Sequence, residues 1–179
     1  MIIVIEGADL VGKTTVINRL ASEIQKSIPL KLEVVIDLDR TCLADIEKAI
    51  NLTAYSIMSK DEDKVWLVDR FIISALVYSE FLGRKTKLTL KDIQDRDYSI
   101  IILGANDPIL EERYLERSDI HFSIEQIKKL NNLFFTFFIK NQFNLNNMYY
   151  LKNNNQIQLG IIIDFVKNLI VYKNGNRKE

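Results

Sequence analysis

Residues 5–15 read IEGADLVGKTT, and the fold turns on what this stretch is. Inside it, GADLVGKT at 7–14 satisfies G-x-x-x-x-G-K-[ST]. The apolar run MIIVI stands just before it, and Val16, Ile17, Leu20, Ala21 and Ile24 follow at helical spacing. The loop therefore joins a strand to a helix over 13–27, the setting a phosphate-binding loop requires. Gly7 and Gly12 let the backbone wrap a phosphate with its N–H groups inward, together with Ala8, Asp9, Leu10 and Val11. The positive N-terminal end of the helix adds to that pull. Lys13 is expected to reach the β- and γ-phosphates of a nucleoside triphosphate, and Thr14 to offer its hydroxyl to Mg2+.

Working outward, short apolar and mostly β-branched segments alternate with helical ones. IIVIE, LEVVID, VWLVD and YSIIIL read as four strands and MYYL as a weaker fifth. Helical patterns cover 43–58, 71–82, 107–117, 123–143 and 157–172, with Pro29 separating the first helix from the second strand and Asp107 capping a helix that has Pro108 in its first turn. Strands apolar on both faces, each followed by a helix, predict an α/β three-layer fold with a five-stranded parallel sheet flanked by helices, the P-loop NTPase arrangement. No linker or repeat interrupts 1–179, which reads as a single domain.

Composition narrows the function classes. Lys plus Arg and Asp plus Glu are equal at 24 each, so no net basic field recruits nucleic acid or an anionic membrane. Cys42 is the sole cysteine, which fits a reducing compartment, and no apolar run approaches the roughly 20 residues of a membrane span. The reading is a cytoplasmic protein. No His/Cys/Asp cluster has zinc-site spacing. His121, the only histidine, reads as solvated in a short loop. The stripe Leu130, Leu133, Phe134, Phe137 and Phe138 reads as buried, in the core or at a homodimer face.

The third strand ends in Asp69, followed at once by Arg70, in VWLVDRFIISALVY. Strand C-termini line the ligand crevice of a parallel sheet, so Asp69 is the candidate Mg2+-associated carboxylate beside Thr14. A GTPase or motor has no need of Arg70 there; a kinase of a phosphorylated acceptor does.

IEGADLVGKTT resembles the thymidylate kinase pattern E-G-x-D-x-x-G-K-[ST]-T, including the loop acid Asp9. DRFIISALVY resembles D-R-Y-x-x-S-x-x-A-Y of the same family, with Asp69, Arg70, Phe71, Ser74 and Tyr78 in register. ILEERYLERSD looks like the helix entering that family's lid, and YYLKNNN takes the place of its last strand and the loop beside adenine. Deoxynucleoside kinases share this architecture. The resemblance implies ATP-dependent phosphoryl transfer to a nucleoside monophosphate. It implies that Thr15 joins Gly12, Lys13 and Thr14 on the donor phosphates, and that Asn153 lies by the nucleotide. Asp9 would face the acceptor, Arg70 would grip its phosphate, and Ser74 and Tyr78 would line its site. Arg113 and Arg117 would close over the transferring group as a lid spanning 113–123.

The pattern departs on the acceptor side. No R-E-P follows the second strand, which leaves Arg40 as the second phosphate contact. The segment up to the third strand is short, and its helix offers Tyr55 to a base but no arginine. Three readings stay open: a nucleoside monophosphate kinase; a deoxynucleoside kinase with Asp9, Asp37 or Asp39 as base, or a kinase of a modified base or polynucleotide end; and a non-enzymatic nucleotide switch. The guanine-reading N-K-x-D motif of GTPases is absent, since GAND at 104–107 lacks the lysine.

Overall fold

The computed structural model describes residues 1–32, 41–61, 63–94, 96–117, 121–145 and 147–175, without the side chains of 41–46 and 174–175. In chain order the elements are β1 (Ile2–Glu6), α1 (Lys13–Glu23), β2 (Ser27–Lys31), α2 (Thr41–Met58), β3 (Val65–Asp69), α3 (Ile72–Leu82), α4 (Lys91–Gln94), β4 (Ser99–Gly104), α5 (Asp107–Leu115), α6 (Ile124–Asn141), β5 (Met148–Lys152) and α7 (Gln156–Gly175). The sheet has five strands in the order β2-β3-β1-β4-β5, and every pairing is parallel. This is the architecture expected from the sequence.

Burial explains the strands. All residues of β1 and β4 are buried, as are four of the five in β3, so the central strands carry unbroken apolar runs covered on both faces. The edge strands β2 and β5 are only partly covered. Each central Ile, Val or Leu removed from water contributes about 1.5–3 kcal/mol. Ile3, Ile5, Leu67, Ile101, Ile102 and Leu103 are completely shielded. On α6, Leu130 and Phe134 are completely buried while Leu133, Phe137 and Phe138 pack against the core, so the aromatic stripe is spent mainly inward.

Several expectations change. The second strand is Ser27–Lys31, not LEVVID, whose residues after Leu32 lie outside those described. Pro29 lies inside it, paired with Leu67, rather than separating helix from strand. An edge strand tolerates this because one side of its backbone has no ladder partner for the missing N–H. The helix expected over 13–27 accordingly stops at Glu23. The cap of α5 is Asn106, with Asp107 already helical. The helix expected to carry Arg113 and Arg117 together ends at Leu115, so Arg117 lies beyond it. The short α4 has no counterpart in the sequence reading. Among the described residues no helix is long and apolar enough to cross a membrane.

The register gathers the site. β1 lies between β3 and β4, with Ile5 opposite Asp69 and Glu6 opposite Ile102. Gly104 pairs with Lys152, and the Asn153 amide donates to the Gly104 carbonyl at 2.9 Å. Residues 7–14, Asp69–Arg70 and Asn153 thus share the C-terminal edge of the sheet, where α/β proteins bind ligands.

Candidate active site

The loop after β1 is held by its carbonyls. Arg113 donates from Nη1 to the Leu10 carbonyl at 2.8 Å and from Nη2 to the Asn153 carbonyl at 2.9 Å. Asn153 Nδ2 donates to the Val11 carbonyl at 2.9 Å. In a trans peptide the C=O and the following N–H point opposite ways. Fixing these two carbonyls therefore turns the N–H groups of Val11 and Gly12 away from the clasp. The two glycines answer two steric demands. A Cβ on Gly7 (φ 140°) would stand 2.4 Å from the Leu103 carbonyl oxygen, which none can approach so closely. One on Gly12 (φ 87°) would meet Asn153 Nδ2 at 2.4 Å. Leu10 also adopts the left-handed region, at φ 66°. Ala8 and Val11 are buried, whereas Thr14 and Thr15 at the start of α1 are exposed.

Lys13 is almost fully buried, and its Nζ donates to the Ala8 carbonyl at 2.6 Å. Burial lowers its pKa to about 7, and the nearby Arg70 cation pushes the same way against the attraction of Asp9, Asp69 and Glu6. A phosphate would supply the missing negative charge.

Thr14 Oγ1 donates to Asp69 Oδ2 at 3.3 Å. The other oxygen, Asp69 Oδ1, is buried without a hydrogen-bond partner. An unpartnered buried carboxylate oxygen is costly, and a hydroxyl and a carboxylate side by side are a donor set for Mg2+. The residues therefore fit the metal. Among the described residues no group of three His, Cys, Asp or Glu could hold a metal ion.

Across from Lys13, Arg70, Asp9 and Tyr78 form one cluster. Arg70 Nη2 is ion-paired to Asp9 Oδ1, and Arg70 Nη1 donates to the Tyr78 hydroxyl at 3.0 Å. The Tyr78 hydroxyl donates to Asp9 Oδ2 at 3.3 Å, and the guanidinium carbon stands 5.0 Å from the Tyr78 ring centre. Burial works against the Asp9 carboxylate, but Arg70, Lys13, Tyr78 and Arg117 outweigh it and hold the pKa below the usual range. Burial raises the Tyr78 phenol well above its ordinary value, so it stays a proton donor. Arg70 has φ 68°, a conformation costing a non-glycine residue roughly 1–2 kcal/mol. The flanking Phe71 N–H donates to the buried Glu6 carboxyl group at 2.9 Å, which ties the strained turn to β1.

The sequence-predicted residues divide. Gly7, Ala8, Asp9, Leu10, Val11, Gly12, Lys13, Thr14, Asp69, Arg70, Tyr78, Arg113 and Asn153 are joined by the contacts above. Arg113 and Arg117 do not share one helical face, since α5 ends at Leu115. Arg113 is tied to the phosphate loop, whereas Arg117 is exposed and its charge acts on Asp9. Ser74 is completely buried, and its hydroxyl donates to Glu6 Oε2. Tyr55 is half-buried, with Arg96 4.3 Å over its ring and Tyr98 edge-on at 6.0 Å. Arg40 lies outside the described residues, as do Asp37 and Asp39. His121 is exposed. Glu6 was not singled out as a site residue by the sequence reading, although an acid ending an otherwise apolar, wholly buried strand is a signal of its own.

No family model matches the chain, and no curated protein matches it in sequence. Solved structures do match. YorR from Bacillus subtilis, in complex with phosphorylated GDP, superposes with a TM-score of 0.66 at 20% identity, over 97% of this chain and 98% of that one. Deoxyadenosine kinase from M. mycoides, with dCMP and a flexible dCDP bound, gives 0.62 at 15% identity over 96% and 100%. Thymidylate kinase from Candida albicans gives 0.58 at 14% identity over 97% and 92%. The chain shares the P-loop kinase fold of these proteins.

Proposed function

We propose that this protein is a cytoplasmic, ATP-dependent kinase that transfers the γ-phosphoryl group to a nucleoside monophosphate. The observation that carries the reading is the Arg70–Asp9–Tyr78 cluster at the same strand edge as Lys13 and Asp69. A switch or a motor has no use for a cation built into that position. Thr14 and Asp69 would hold Mg2+, which when bound neutralises phosphate charge.

Phosphoryl transfer asks the protein mainly to position and to stabilise charge. Lys13 exchanges the Ala8 carbonyl for donor phosphate oxygens and takes up its proton there. The N–H groups of Val11 and Gly12, aimed by the Asn153 and Arg113 clasp, receive the same phosphates. Thr15 stands one residue on, at the exposed start of α1. Arg70 exchanges part of its contact with Asp9 for the acceptor phosphate. Asp9, freed to the same extent, orients the acceptor, with Tyr78 fixing its rotamer. Arg117 brings positive charge to the acceptor side from the lid around 113–123, while Arg113 supports the donor loop from outside. The whole of 1–179 acts as one kinase domain on a small nucleotide.

One observation favours a second reading, a deoxynucleoside kinase. Arg70 is already matched by Asp9 and Tyr78, so an uncharged acceptor would leave that pair intact. A panel of nucleosides and nucleoside monophosphates with ATP, read as ADP release, separates the two. We expect turnover with a monophosphate, and Arg70→Ala to raise the acceptor KM about 100-fold with little change for ATP, the cost of losing a charge-assisted contact to phosphate. Turnover with nucleosides alone, or equal weakening of both substrates, removes the monophosphate reading. No ADP release with any acceptor removes both.

A further inference from the structure

Glu6 is buried to the last atom and has no part in the chemistry above. We infer that it is a positioning residue, a cap supplied to α3 by the neighbouring strand β1 that holds Arg70 in register with Asp9. The inference rests on the reading that Arg70 meets the acceptor.

The N-cap residue of α3 is Phe71, which has no side-chain cap to give. Orphan N–H groups at a helix start need an acceptor. Glu6 provides it from outside the helix: Oε1 accepts from the Phe71 amide at 2.9 Å and Oε2 from the Ser74 hydroxyl. One residue earlier, the Arg70 amide donates to the Ile5 carbonyl at 3.0 Å. Arg70 itself sits between these ties in the left-handed region. Both ends of the strained turn are thus fastened to consecutive residues of β1. The same strand runs on into Gly7 and Asp9, which supply the Arg70 side chain with an acceptor each. A serine or aspartate at position 71 would cap α3 equally well, but it would leave the helix start free to shift against β1. A carboxylate reaching across from β1 makes cation and anion share one anchor.

The surroundings make this cap sensitive to pH. Val4, Phe71, Ile93, Tyr98 and Ile100 line a small apolar void together with Glu6. The charged and titratable groups facing it are Arg70 from the β3–α3 turn, Lys13 from α1 and the Tyr98 phenol before β4. Burial raises the Glu6 pKa to about 7, against the Ser74, Arg70 and Phe71 contacts. Ionised, it accepts both bonds at full strength; protonated, it holds the turn less firmly.

The test is Glu6→Gln, which keeps the shape and removes the charge. At pH 8 we expect the acceptor KM to rise about tenfold, as for loss of one charge-assisted bond, with the ATP KM unchanged within about twofold. The gap between the two proteins should close by pH 6, a comparison in which the acceptor's own titration cancels. Ser74→Ala, which deletes one bond and leaves the charge, should move the acceptor KM the same way by less. The Arg70 side-chain Nε–H resonance, assigned with Arg70→Lys, should shift in Glu6→Gln without any substrate present. That last reading stands even if no acceptor is phosphorylated, so it separates failure of this inference from failure of the kinase assignment. An unmoved Arg70 resonance overturns the inference. So does a rise in both KM values together, or an acceptor effect that is the same at pH 6 and pH 8.

Discussion

The proposed donor and acceptor sides of the site are built by different means. On the donor side, the loop at 7–14 is gripped through main-chain carbonyls by Arg113 and Asn153, and its own sequence sets its shape. On the acceptor side, Arg70, Asp9 and Tyr78 are tied to one another by side chains separated by up to 69 residues in sequence. A backbone-built cradle suits a ligand portion that never varies, the phosphate chain. A side-chain cluster can be altered one residue at a time, which suits the part that sets which molecule is phosphorylated.

The strongest way to break this comparison is at Lys13, whose charge lies between the two sides. Lys13→Ala should lower turnover by about 100-fold or more while the fold survives, the scale of one preorganised electrostatic contact. Single-turnover kinetics beside a thermal melt decides it; undiminished turnover in a folded variant removes the donor-loop assignment.

A smaller effect sharpens the division. Arg113→Ala removes both clasp bonds to the Leu10 and Asn153 carbonyls, so the ATP KM should rise about tenfold with the acceptor KM nearly unchanged. Were Arg113 instead closing over the transferring group, the turnover number would fall with both KM values intact, and separate titrations of the two substrates tell these apart.

The smallest effect is on stability. Burial raises Glu6 from 4.5 to about 7, so the folded protein binds more protons than the unfolded chain between those values, and stability falls as pH rises through them. Burial lowers Lys13 from 10.5 to about 7, so the folded protein binds fewer protons from about 7 to 10.5, and stability rises with pH there. The pair gives a minimum near pH 7, a few degrees deep in Tm. Thermal melts should show Glu6→Gln flattening the acid limb, the acceptor-side contribution, and Lys13→Met flattening the alkaline limb, the donor-side one. Limbs that persist in both variants overturn the assignment.

The legibility of the two sides differs in the same way. The glycines, Lys13 and Thr14 are recognisable because the chemistry fixes their spacing within eight residues, and β1, β3 and β5 fall where apolar runs put them. β2 runs through Pro29, a breaker in most settings that is tolerated here by its edge position. Whether a strand lies at an edge depends on the order of the sheet, which local pattern does not encode.

The sequence by itself determined that strand, phosphate loop and helix follow one another, that the sheet is parallel, and that Asp69 and Arg70 end a central strand. These depend on period, burial and steric demand over a few neighbouring residues. Only the tertiary structure decided what the long side chains do. It sent Arg113 to the donor loop and left Arg117 exposed, though the two are four residues apart. It tied the Ser74 hydroxyl to the shielded Glu6 carboxylate, and it laid Arg96 across Tyr55. Side-chain partners are chosen by which strand ends and helix starts meet, and those meetings join residues more than 60 positions apart, as Glu6 and Phe71 are.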